Sequence, residues 1–155
     1  MTENHTAQAD AAVGDEFSYL PGQAERLGAP LPTVRRLHVA LPDGRTISAL
    51  RFGDARPRVV LLHGAGLNAH TWDTTVLALR APALVLDLPG HGDSSWRDDA
   101  DYRPRTLAPD VIRAVEEWAD APVALVGHSL GGLTAAAVAA ARPDLVATLH
   151  LIDIT

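Results

Sequence analysis

Four short apolar runs, Val59 to Leu62, Ala83 to Leu86, Val123 to Val126 and Val146 to Ile152, are separated by segments each long enough for a helix: His70 to Arg80, Thr106 to Asp120 and Leu130 to Ala141. A run of branched apolar residues with no polar alternation suits a strand covered on both faces, as in a parallel sheet. Strand and helix alternating at this spacing call for right-handed crossovers and helices on both faces. Ahead of these runs, Val34 to Phe52 alternates apolar and polar residues around Pro42-Asp43-Gly44, which predicts an antiparallel hairpin of two half-exposed strands. The expected fold class is α/β: a mostly parallel open sheet with helices on both faces, led by an N-terminal antiparallel hairpin.

The remaining sequence narrows the setting. Residues 1 to about 30 hold two Ala-rich patches, several acids and Pro21-Gly22 without a sustained period, so they read as a mobile tail with one helical turn around Ala24 to Leu27. His5, in that tail, is expected to be solvated. Residues 31–155 then form the single domain that a chain of 155 residues allows. Net charge is −6, with no basic cluster longer than Arg35-Arg36, which argues against nucleic acid or an anionic membrane as partner and favours a small soluble substrate. The absence of cysteine excludes disulfides, thiol catalysis and cysteine-ligated zinc. Met1 to Val13 has no basic residue ahead of an apolar run, so it does not read as a signal peptide, and Arg142-Pro143 closes the Ala-rich segment short of membrane-spanning length. A cytoplasmic protein without a cofactor is the expectation.

The most chemically informative stretch is Gly127-His128-Ser129-Leu130-Gly131-Gly132, set between the apolar run Val123 to Val126 and the Ala-rich segment Leu130 to Ala141. Alanine is the strongest helix former, so a helix should begin at once after Ser129. A side chain at so sharp a strand-to-helix turn is tolerated only if the residues two before and two after it lack a clashing Cβ, as Gly127 and Gly131 do. The turn lifts the Ser129 hydroxyl clear of the sheet. It also puts the Leu130 N–H at a helix N-terminus, where unpaired donors and the positive dipole end favour an oxyanion. This arrangement resembles the nucleophile elbow of the α/β-hydrolase superfamily.

The resemblance covers residues 34 to 155 and extends to two further loops. His63-Gly64-Ala65-Gly66 follows the Val59 to Leu62 strand; in similar family members this His-Gly pair opens the oxyanion loop, which implies the Ala65 N–H as second donor beside Leu130. His63 is then a structural residue rather than the base. Asp87-Leu88-Pro89-Gly90-His91-Gly92-Asp93-Ser94 is similar to the Asp-x-Pro-Gly-x-Gly-x-Ser loop of many members. A metal reading of Asp87, His91 and Asp93 has suitable ligand types, but loop-shaping is preferred because the same loop recurs in the family without metal. His128 should point to the opposite side of the turn from Ser129, as a packing or hydrogen-bonding residue. Trp72 is expected to pack, and His38 and His150 to be core or edge histidines.

By the same resemblance, Ser129 is a serine-type nucleophile acting through an acyl-enzyme on an ester or related small substrate. A serine there argues against the aspartate-dependent branches of the superfamily. The superfamily order is serine, acid, histidine. Asp153 is a candidate acid, because a minority of the family place it after this strand, although a loop-entry role is preferred. No residue is left for the triad histidine or for the cap region. The chain is therefore expected to be an N-terminal portion of the fold, with C-terminal strands absent, or to be completed by a second polypeptide. The alternative is a non-catalytic binding protein or an inert product that keeps half the fold.

Overall fold

A computed structural model describes residues 15–154. The elements run in order as α1 (Leu20–Leu27), β1 (Val34–Ala40), β2 (Thr46–Phe52), β3 (Val59–Leu62), a 3₁₀ turn (Ala69–Trp72) leading into α2 (Asp73–Leu79), β4 (Ala83–Asp87), α3 (Pro104–Trp118), β5 (Val123–His128), α4 (Leu130–Ala141) and β6 (Val146–Ile152). The six strands form one sheet in the order β1-β2-β4-β3-β5-β6. β1, β2 and β4 pair antiparallel, whereas β4, β3, β5 and β6 are parallel. The expected α/β class and the antiparallel lead-in are thus the observed ones.

Two apolar layers hold the sheet. On one face, Ala108, Val111, Ala114 and Val115 of α3 and Ala135 and Val138 of α4 pack with Val60, Leu62, Leu84, Leu86 and Leu125. The α3 positions recur at the three- and four-residue spacing that lines one helix face, and Pro104 opens the helix where a missing N–H costs nothing. On the other face, α1 and α2 supply Leu20, Ala24, Val76 and Leu77 against Leu50, Phe52, Leu61, Ala83 and Val85. Each fully buried Leu or Phe here contributes about 1.5–3 kcal/mol. Trp72 joins this layer, as expected of a packing residue. No helix among the described residues is long and apolar enough to cross a membrane.

Several sequence expectations need correction. The hairpin strands are not alike: β1 is half-exposed, but β2 is almost wholly buried because its second edge pairs with β4, making it an interior strand. β6, read as covered on both faces, is largely exposed, because it pairs only with β5 among the described residues. The second half of the supposed tail is a helix: Leu20 and Ala24 of α1 are buried against α2, four residues apart on one face. Residues 1–14, including His5, lie outside the described residues. His38 and His150 sit on the two outermost strands and are exposed, the latter with its Nε2 3.1 Å from Thr148 Oγ1.

Candidate active site

At the end of β5 the chain turns abruptly at Ser129, whose φ of 51° and ψ of −117° lie outside every favoured region for a side-chain-bearing residue. Such a conformation costs about 1–3 kcal/mol and persists only where surrounding packing dictates it. That packing is tight. A Cβ on Gly127 would overlap the Gly131 carbonyl, and one on Gly131 would overlap the carbonyls of Leu62 and His63, so α4 starts hard against the end of β3. The Ser129 N–H donates to Ile152 O at 2.9 Å, tying the turn to β6, and Ser129 O accepts from Leu133 N–H at 3.0 Å. Serine at a helix N-cap usually caps with its hydroxyl, yet Ser129 makes no such bond. Its Oγ is left free while the Leu130 N–H, in the first turn of α4, has no intrahelical partner.

The loop after β3 comes to the same place. A Cβ added at Gly64 would fall 3.5 Å from Ser129 Cβ and 2.8 Å from His128 Nδ1. Gly64 is thus adjacent to the serine, and Ala65, the next residue, is exposed. This also corrects the expectation for His128, which does not turn away from the site but packs against Gly64 alongside Ser129. Asp153 follows β6 with a φ of 49°, its Oδ2 3.8 Å from His128 Nε2. Ser129, Leu130, Gly64, Ala65, His128 and Asp153 therefore share one rim of the sheet. A groove of about 1050 Å³ between α3 and α4 is lined by none of them.

His63 is fully buried. Its Nε2 accepts from Leu88 N–H at 3.0 Å and its Nδ1–H donates to Gly64 O at 2.8 Å, which makes it the neutral tautomer that bridges the two loops. Burial, the largest influence, holds its pKa below the ordinary histidine value. His91 makes a second bridge: Nε2 accepts from Gly66 N–H at 3.1 Å, Nδ1–H donates to Pro89 O at 3.0 Å, and the ring stands edge-on to His63 with centroids 5.0 Å apart. Asp87 is buried too. Its Oδ1 accepts from Ala69 N–H at 2.8 Å and its Oδ2 from Asp93 N–H at 3.2 Å, while its carbonyl accepts from Ser94 Oγ at 2.6 Å. Both carboxylate oxygens are engaged within the protein, in the loop-shaping role preferred above.

Sequence reasoning passed over Arg36. Its Nη1 lies 2.6 Å from Asp87 Oδ2 and 2.5 Å from Ser48 Oγ, its Nη2 2.6 Å from Glu16 Oε2, and its Nε 3.2 Å from Asp93 Oδ2. Glu16 also faces His70 Nε2 at 3.3 Å, and His70 Nδ1 meets Asp73 Oδ2 at 2.8 Å. The available signal was a lone arginine on the sheet face opposite Leu37 and Val39. Its partners are distant in sequence, 51 residues away for Asp87, so no local pattern pointed to them.

This combination of sheet order, strained serine turn and adjoining His-Gly loop is that of an α/β hydrolase. The pattern of the alpha/beta hydrolase family matches residues 59–153, well over half of the 155, and the chain belongs to that family. Among its relatives is the esterase Rv0045c of Mycobacterium tuberculosis, 48% identical over 143 residues that make up 91% of this chain and 46% of that protein. A crystal structure of the same esterase matches with a TM-score of 0.81 and 49% identity, over 91% of this chain and 48% of the other. A pimeloyl-[acyl-carrier protein] methyl ester esterase of Neisseria meningitidis is 40% identical over 100 residues, 63% of this chain and 30% of that one. The chain thus spans about half, or less, of the length of these relatives.

Proposed function

We propose that this chain carries the nucleophile and oxyanion site of a serine esterase that works on small ester substrates through an acyl-enzyme. Ser129 Oγ attacks the ester carbonyl carbon as a base takes the hydroxyl proton. The carbonyl oxygen becomes an oxyanion facing the Ala65 and Leu130 N–H groups. Collapse of the tetrahedral intermediate expels the alcohol, which receives the proton, and water then releases the acid by the reverse sequence. Two preorganised donors of this kind lower the barrier by a few kcal/mol, and losing one costs about 10²–10³ in kcat. In this reading Asp153 is the acid that orients the base, supported by its position after β6 near His128. His63, Gly64, His128 and the glycines Gly127 and Gly131 hold the loops rather than react.

The observation that carries this reading is the backbone of Ser129: a positive φ with an uncapping hydroxyl, beside Gly64. Packing imposes strain at a residue that could otherwise have been a conventional helix cap, and the result is an unengaged hydroxyl on an accessible rim. The esterase relatives support the ester as the substrate bond. The reaction requires a general base beside Ser129, a role that the superfamily gives to a histidine later in the chain order than the acid.

The test is acylation. Incubation with p-nitrophenyl acetate, with the part of the fold that the longer relatives carry beyond this span supplied in cis or in trans, is expected to release p-nitrophenol and leave an acetyl group on Ser129, located by peptide mass spectrometry. Ser129→Ala should abolish both. An adduct elsewhere, or release that persists in the alanine variant, would favour the non-catalytic alternative.

A further inference from the structure

Arg36 sits at the centre of a bond path that ends on the proposed oxyanion loop. Its side chain is 13% exposed and that of Asp87 is 0% exposed, so the guanidinium neutralises a carboxylate cut off from water. Asp87 in turn fixes the loop at its far end through Ala69 N–H. The residue after Asp87, Leu88, fixes the near end through His63, and His91 fixes the middle through Gly66 N–H. Ala65 therefore hangs on three anchors, all borne by the Asp87–His91 segment. The space there is closed, since a Cβ on Gly92 would overlap the Asp87 carboxylate. Glu16 and Asp93 share the same guanidinium, so its loss would leave three carboxylates together, one of them buried. A buried charge stripped of its partner is strongly destabilising where it sits, and the relaxation around it loosens what the carboxylate holds.

We propose that Arg36 is a positioning residue for ester hydrolysis: by pairing with Asp87 it holds the Ala65 N–H where the oxyanion forms. The catalytic half of this statement rests on the function proposed above; the positioning half does not. Arg36 touches no reacting atom. Its influence passes through Asp87 to the loop, where a displacement on the order of 1 Å at the donor costs about 10²-fold in rate.

Amide hydrogen exchange on the chain tests the positioning half. Arg36→Met is expected to speed exchange at the Gly66 and Ala69 amides about tenfold or more while leaving β3 protected, and Arg36→Lys should recover most of that protection. Val111→Ala, a core truncation on the opposite sheet face, supplies a comparison of lowered stability and should leave the loop amides as they were. Should Arg36→Met not fold, Arg36→Gln, neutral but able to reach Ser48, takes its place with the same expectations. Unchanged exchange at Gly66 and Ala69 in the neutral variant overturns the proposal, as does an equal rise in Val111→Ala. In the acylation assay the neutral variant should lower kcat about tenfold to a hundredfold with KM little changed. If Ser129 is never acylated but the exchange pattern holds, the esterase reading fails and the brace stands.

Discussion

Single residues at the serine turn reverse what their intrinsic propensities suggest. Gly131 lies in the first turn of α4, where replacing glycine by alanine would ordinarily stabilise a helix by about 1 kcal/mol. Here the added methyl would run into the Leu62 and His63 carbonyls. Gly131→Ala is therefore expected to destabilise the chain by about 1–3 kcal/mol, the usual range for overpacking, as read from the urea midpoint at constant m-value. A gain in stability instead would show that α4 can slide away from β3 and that the Ser129 strain is not imposed by this contact. His63 illustrates the same dependence on surroundings. Its two hydrogen bonds define one neutral tautomer, which suits a brace and not a base.

At the scale of elements, the N-terminal segment is clasped to the sheet by charge. Glu16 bridges Arg36 on β1 and His70 ahead of α2. The hydrogen bond to Asp73 is the largest cause raising the His70 pKa, and that to Arg36 is the largest lowering the Glu16 pKa. A raised histidine contributes stability that is complete below its unfolded value of about 6.5 and is lost as pH climbs through the folded value. A depressed glutamate contributes stability present above its unfolded value of about 4.3 and lost as pH falls through the folded one. The clasp is thus strongest at mildly acidic pH, where both charges exist. His70→Gln should cost about 0.5–1 kcal/mol near pH 6, shrinking above neutrality, in thermal melts run across pH. A cost that instead grows with pH would contradict the pairing.

For the molecule as a whole, β6 is an open margin of the sheet among the described residues. Leu149, Leu151 and Ile152 are exposed on a strand with one unpaired edge among the described residues. Such an edge is a template for another strand, and apolar side chains along it make association favourable. The chain by itself is expected to self-associate with rising concentration in sedimentation velocity, and Leu151→Lys should shift it toward monomer without lowering its melting temperature. Concentration-independent monomer in the unmodified chain would show that this edge is satisfied in another way. Esterase relatives roughly twice as long are consistent with further strands joining here.

The alternation of strands with helices, the hairpin and the serine turn were legible because each is encoded within a few neighbouring residues: a run of branched side chains, an Asp-Gly pair, two glycines flanking a serine. Loop-shaping by the Asp87 segment was legible from Pro89, Gly90 and Gly92, which call for a sharp turn, and from the family resemblance. Tertiary structure decided the rest. Arg36 acquired its role from strand pairing that carries β1 across β2 toward Asp87 on β4, and no local period encodes which distant carboxylate a cation will meet. The docking of α1, the burial of β2, the exposure of β6 and the gathering of His128 and Asp153 beside Ser129 followed in the same way. They depend on which elements become neighbours, because burial and charge pairing are properties of distance in space rather than along the chain.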